Sequence, residues 1–227
     1  GQAQAAHEYG VPLIVDAAWA AHFGFHPDLP RHALQLGADA MVTSAHKTLP
    51  AWSQAALVLA RTDRLDPARL EAGVEATATT SPAGAILAST DAARALLERD
   101  GEQLLGEAIA ATAHARRRLR SVEGLVVLDG PDTDPLKLTL VLAGTGADGN
   151  AVEQDLLAAG LPVESADRDV LVAVVSLADT ADSLTALTDT LTRSLEARRG
   201  TPRPVVGPAA YRIDPVAGVP PREAFFA

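Results

Sequence analysis

The sequence predicts an α/β fold, and three observations carry that expectation. Short apolar runs rich in β-branched residues alternate with stretches of helical periodicity. The connections between them are short, as they are where helices pack on a sheet. Glycines stand where the helical patterns stop, at Gly10 and Gly37.

Taken in order, residues 2–9 read as the last turns of a helix, with Gly10 in the C-terminal capping place. Residues 13–15 are a continuous apolar run, expected for a strand buried on both faces of a parallel sheet, and the run ends on Asp16. Residues 31–36 form a short helix closed by Gly37. Residues 39–43 and 55–60 are the second and third strands. A helix starts near Ser81-Pro82, and a longer helical region runs from Thr90 or Asp91 to about Arg120, with Gly101 and Gly106 as points of interruption. Leu96, Leu97, Leu104, Leu105, Ile109 and Leu119 keep roughly helical spacing along it.

Strands follow at residues 125–128 and 137–142, then the loop 144–149. A helix over 150–159 leads to strands at 162–164 and 170–175, and residues 183–198 make a final amphipathic helix. The expected division is a partial large domain over 1–100, a small C-terminal α/β domain over 101–200, and an extended tail rich in proline and glycine over 201–227. Both ends read as cut: the chain opens part-way through a helix and stops on Phe225-Phe226-Ala227.

Composition narrows the partners. The hydrophobic fraction is 48% and the charged fraction 21%, so a packed core is expected, built from small aliphatic residues because aromatics are only 4%. A net charge of -10 argues against nucleic acid or an anionic membrane as the main partner. Cysteine is absent, which excludes disulfides and thiolate metal sites. Neither a signal peptide nor an apolar run long enough to span a bilayer is legible, so the expected location is the cytoplasm.

The chemistry is concentrated in one lysine. Of 19 basic residues only Lys47 and Lys137 are lysine, so arginine serves wherever charge alone is enough. A lysine amine differs because it can lose its proton when buried and form a Schiff base with a carbonyl. Lys47 lies in Thr43-Ser44-Ala45-His46-Lys47-Thr48, directly after a strand, and Asp16 ends the strand before it. In open α/β sheets ligands bind beyond the carboxyl ends of the strands, so both residues can face one cavity. An acid and an amine so placed suit pyridoxal phosphate. Lys47 would hold the aldehyde, and Asp16 would keep the pyridine nitrogen protonated so that the ring accepts electrons. Ser44 could donate to the phosphate, and His46 could contact the phosphate or move a proton at the reacting carbon.

Competing motifs are weaker. Ser44-Ala45-His46-Lys47 also fits the S-x-x-K pattern of penicillin-binding serine enzymes, but the companion S-D-N and K-T-G strings are absent. His22 and His26 are four apart, yet Gly24 and Pro27 break any helix there and further ligands lack suitable spacing, so no metal site is expected. His22 is expected near the mouth of the site, and His26 and His32 at the surface. The glycine-rich loop 144–149 lacks a P-loop lysine and misses the dinucleotide spacing, leaving a strand-to-helix turn with Asn150 near the cap. Glu164, Asp167 and Arg168 are assigned no role.

Residues 15–23 (Val-Asp-Ala-Ala-Trp-Ala-Ala-His-Phe) and 43–55 (Thr-Ser-Ala-His-Lys-Thr-Leu-Pro-Ala-Trp-Ser-Gln-Ala) resemble the Orn/Lys/Arg decarboxylase family. The likeness continues in Thr79-Thr80-Ser81-Pro82, in residues 134–139 and in residues 221–226. It implies the aspartate-aminotransferase-like, type I pyridoxal fold, here part of a large domain with a mostly parallel sheet followed by a small α/β domain. It also implies Lys47 as the Schiff-base lysine, Asp16 as the pyridinium partner and Ala18 near the ring face. Ser44 and His46 would line the phosphate side, and Thr80 and Ser81 would reach the cofactor of a neighbouring subunit in a homodimer or higher homo-oligomer. Ala17 and Trp19 stand where many relatives carry Glu and His. The family's upstream segment, which supplies the phosphate-gripping turn and the group stacked over the ring, has no counterpart in the sequence.

The activity implied is decarboxylation of arginine, lysine or ornithine to the amine and carbon dioxide, as in polyamine biosynthesis. A type I aminotransferase or aldolase-like enzyme stays open, because Asp16 and Lys47 would serve all of them. So does a catalytically silent chain.

Overall fold

A computed structural model describes residues 1–61, 63–131, 133–204 and 218–226. Three strands, β1 (Ile14–Asp16), β2 (Ala40–Thr43) and β3 (Leu57–Ala60), form one sheet in the order β1-β2-β3. β1 runs parallel to β2, with Asp16 opposite Val42, and β3 runs antiparallel, with Leu57 opposite Thr43. Helix α1 (Gln2–Glu8) is anchored to this sheet through Asp39. The Asp39 carboxylate accepts from the Leu13 N–H at 2.8 Å and meets His7 Nε2 at 2.7 Å. Burial pushes its carboxyl up, but these two hydrogen bonds and the nearby charges of His7 and Arg64 hold it below the usual range.

The expectation that residues 13–15 are buried on both faces is not met. Ile14 is 58% exposed, because among the described residues β1 is an edge strand paired with β2 alone. The pairing of this sheet is half parallel and half antiparallel.

After β3 comes a helix that the sequence reading lacked, α3 (Pro67–Thr77). Its start is chemically explicit. Asp66 accepts from the N–H groups of Ala68 and Arg69, and proline takes the first helical position, where it has no N–H to waste. The turn residues around it hid this cap.

The expected pair of helices is one uninterrupted helix, α4 (Gly84–Leu119). Its glycines are points of close approach rather than breaks. A Cβ on Gly101 would stand 3.3 Å from Leu97 Cβ and 3.6 Å from Phe25 Cβ, and one on Gly106 would stand 3.1 Å from His26 Nε2. The helix therefore packs against the loop after β1, which carries part of the site. It also runs through residue 100 without a break.

A second, antiparallel sheet contains β4 (Val126–Val127), β5 (Lys137–Val141), β6 (Ser165–Ala166) and β7 (Val170–Val174) in the order β4-β5-β7-β6. Its alternating leucines, Leu138, Leu140 and Leu171, join Leu119 of α4, Leu156 of α5 (Gly149–Ala158) and Leu191 and Leu195 of α6 (Ala181–Ala197) in one core. Asp148 caps α5, with Asn150 beside the cap as expected: Asp148 Oδ1 accepts from the Asn150 N–H at 2.9 Å. Residues 205–217 of the expected tail lie outside the described residues. At its end the chain is helical rather than extended, in α7 (Pro221–Phe226), where proline again opens the first turn. Among the described residues no helix is long and apolar enough to cross a membrane.

Candidate active site

The ends of β1 and β2 are stitched together by short polar contacts. Ala17 N–H donates to the Val42 carbonyl at 2.8 Å, and Thr43 Oγ1 donates to the Ala17 carbonyl at 2.8 Å. Asp16 Oδ1 accepts from the Ala18 N–H at 3.0 Å, an Asx-type turn that fixes the carboxylate where the strand stops. Ser44 N–H then donates to the Ala18 carbonyl at 3.3 Å. Ser44 precedes α2 (Ala45–Thr48), a single helical turn pinned by the fully buried Ala45, and Lys47 projects from that turn.

Asp16, Ala18, Trp19, Phe23 and Lys47 line one hollow of about 540 Å³. The acid and the amine singled out from the sequence thus share a cavity. Lys47 Nζ sits 4.9 Å from the centroid of the Trp19 ring, in range for a cation–π contact. Among the described residues it forms no salt bridge.

Lys137, at the start of β5 and given no role at the level of sequence, lines the same hollow. Its Nζ stands 5.7 Å from the same indole centroid and 3.5 Å from Asp134 Oδ2. Both lysines of the chain therefore approach one tryptophan. The signal that could have found Lys137 was already in use: lysine is rare here, and Lys47 was singled out partly for that reason.

A buried polar network positions Lys137. Asp134 is 7% exposed at its side chain; it meets His22 Nε2 at 3.1 Å and accepts from the Leu136 N–H at 3.0 Å. Burial pushes its carboxyl up, yet the His22 bond and charge, the Leu136 N–H and Lys137 together leave it below the usual carboxylate range. His22 is thus not at the mouth of the site as expected. It is 2% exposed, edge-on to Phe23, because it is the partner that makes burial of Asp134 tolerable. Buried Arg116 of α4 donates to the carbonyls of Asp134, Pro135 and Lys137, and burial lowers its own pKa.

The other predicted residues are placed differently. His46 is half-buried outside the wall of the hollow, with its Nδ1 2.7 Å from the Ala55 carbonyl. The turn delivering that carbonyl holds Gln54 at φ 76, a left-handed conformation unusual for a residue with a side chain. Ser44 is half-buried and its hydroxyl does not cap α2. Thr80 and Ser81 are exposed between α3 and α4 and do not line the hollow, with Ser81 N–H on Thr79 Oγ1. His26 and His32 are half-buried rather than superficial.

Comparison with known proteins extends this picture. Residues 2–132 match the model of the Orn/Lys/Arg decarboxylase major domain. An arginine decarboxylase of Bacillus subtilis is 30% identical over 82% of this chain and 40% of its own length. One from Bacillus cereus is 29% identical over 98% of this chain and 51% of its own length. The chain thus spans about half, or less, of the curated relatives it matches. Lysine decarboxylase A from Pseudomonas aeruginosa superimposes with a TM-score of 0.68 at 24% identity, over 80% of this chain and 32% of that one. A cysteine desulfurase from Escherichia coli superimposes with a TM-score of 0.66 at 17% identity, over 86% of this chain and 54% of that one. These likenesses place the fold among type I pyridoxal-phosphate enzymes.

Proposed function

This chain belongs to the Orn/Lys/Arg decarboxylase family, and from that premise we propose that the protein decarboxylates a basic amino acid (arginine, lysine or ornithine) with pyridoxal phosphate as cofactor. The observation that carries the reading is the shared hollow of Asp16 and Lys47. The donor set suits the cofactor: a carboxylate fixed by a backbone N–H for the pyridine nitrogen, and a primary amine without a salt-bridge partner among the described residues for the aldehyde.

When bound, pyridoxal phosphate supplies a sink for the electron pair left when the bond between Cα and the carboxylate breaks. Asp16 would keep the ring nitrogen protonated, and its Asx turn holds the carboxylate in place without further reorganisation. Lys47 would hold the cofactor aldehyde through Nζ. Trp19 offers its ring face to that ammonium and forms part of the wall. The Ser44 hydroxyl, unused as a cap, would donate to the phosphate. His46 stands outside the wall of the hollow with its Nδ1 on the Ala55 carbonyl, so its role is assigned to the phosphate side and not to proton transfer at Cα. Ala18 packs near the ring, and Thr80 and Ser81 serve the site of a neighbouring subunit in a cytoplasmic homodimer or larger assembly.

Product analysis with a panel of amino acids tests this reading. Amine and carbon dioxide in equal amounts support it, and a keto acid would point instead to an aminotransferase. A second reading, that this chain alone is catalytically silent, is favoured by the exposure of both Asp16 and Lys47. Titration with pyridoxal phosphate separates the two, since binding at Lys47 produces a band near the visible range and a silent chain produces none.

A further inference from the structure

We propose that Lys137 is the residue that binds the α-carboxylate of the substrate, held in position by Asp134, His22 and Arg116. The inference rests on the decarboxylase reading and deepens it. An α-amino acid entering the hollow brings a carboxylate that must be desolvated, and such a group needs a cation or several N–H donors. Two cations line the wall, Lys47 and Lys137. Lys47 is committed to the aldehyde, which leaves Lys137 for the anion.

The placement of Lys137 is built rather than incidental. It is 29% exposed at its side chain, and three groups converge on the turn that carries it. Asp134 Oδ2 stands 3.5 Å from its ammonium, His22 Nε2 meets the same carboxylate at 3.1 Å from the loop after β1, and Arg116 clamps three carbonyls of the turn from α4. The arrangement also limits how tightly the carboxylate is held. A lysine shared with Asp134 offers only part of its charge, so it can orient the carboxylate without stabilising the ground state enough to oppose loss of carbon dioxide. In that step the bond from Cα to the carboxylate breaks, carbon dioxide departs neutral, the electron pair passes to the cofactor and Cα later gains a proton. Lys137 is thereby left without its anion, which favours release of the amine.

The test compares a ligand with its decarboxylated counterpart, arginine with agmatine, in the Lys137→Met and Lys137→Arg variants. Lys137→Met is expected to raise KM for arginine about tenfold with a smaller change in kcat, and to leave inhibition by agmatine unchanged. Lys137→Arg restores most of the loss. Quenching of tryptophan fluorescence in the cofactor-free protein supplies a readout independent of turnover: arginine is expected to weaken in Lys137→Met and agmatine is not. Equal loss for both ligands, or loss for neither, overturns the assignment. Weakened binding of pyridoxal phosphate itself also overturns it, because the anion would then be the cofactor phosphate. Failure of the decarboxylase reading shows separately, as absence of amine from the unmodified protein.

Discussion

His22 Nε2 lies 3.1 Å from Asp134 Oδ2, joining positions 112 residues apart in the chain. The histidine sits in the loop after β1, three residues beyond Trp19, and the aspartate opens the turn that carries Lys137. The contact therefore couples the first sheet to the second at the wall of the hollow. Replacing His22 by Ala would leave Asp134 buried with fewer partners. We expect a loss of about 2 to 4 kcal/mol in urea unfolding and an altered tryptophan emission from the folded protein.

The same pair sets a pH dependence with a definite sign. The Asp134 carboxyl is held below its ordinary value of 3.8 in the folded protein. Its contribution to stability is complete above the unfolded value and disappears as the pH falls from 3.8 through the lower folded value. Asp39 acts in the same direction. Unfolding free energies measured between about pH 5 and pH 3 should therefore fall, and the fall should be shallower in Asp134→Asn. An equally steep fall in that variant would remove Asp134 from the account.

Arg116 is predicted to matter through its shape as well as its charge. Arg116→Met removes donors from the carbonyls of Asp134, Pro135 and Lys137 and should cost about 3 kcal/mol in chemical denaturation. Arg116→Lys should recover little, since one ammonium cannot span the carbonyls that the planar guanidinium fork reaches.

Gly149 is required by contact rather than by its backbone angles. A Cβ there would overlap the Asp167 carbonyl oxygen, so the first turn of α5 or the loop before β7 must move to admit it. Gly149→Ala is expected to lower stability by about 2 kcal/mol or more, with the heaviest loss of hydrogen-exchange protection at the ends of α5 and β7.

The sequence made the alternation of elements legible, and with it the placing of Asp16 and Lys47 in one cavity. Periodicity and strand ends are local signals, and they survived folding. What it hid was set by contacts distant along the chain. Gly101 and Gly106 look like helix breakers in isolation and are close-packing sites once Phe25 and His26 are opposite them. The run at residues 13–15 looks buried because it is apolar, while Ile14 lies on an edge strand. Lys137 and His22 acquire their roles only when the second sheet meets the loop after β1, a juxtaposition that no spacing rule encodes. The Asp66-Pro67 start of α3 was readable as a cap and a first-turn proline, and its surroundings of turn residues masked it.

The most direct measurement is reductive trapping. The protein is incubated with pyridoxal phosphate, reduced with borohydride and digested, and the modified peptide is identified by mass. With two lysines in the chain the assignment lies between few candidates. The account predicts the pyridoxyl group on Lys47, abolished in Lys47→Ala and weakened in Asp16→Ala. Modification of Lys137 in place of Lys47, or no modification of the protein, would contradict it.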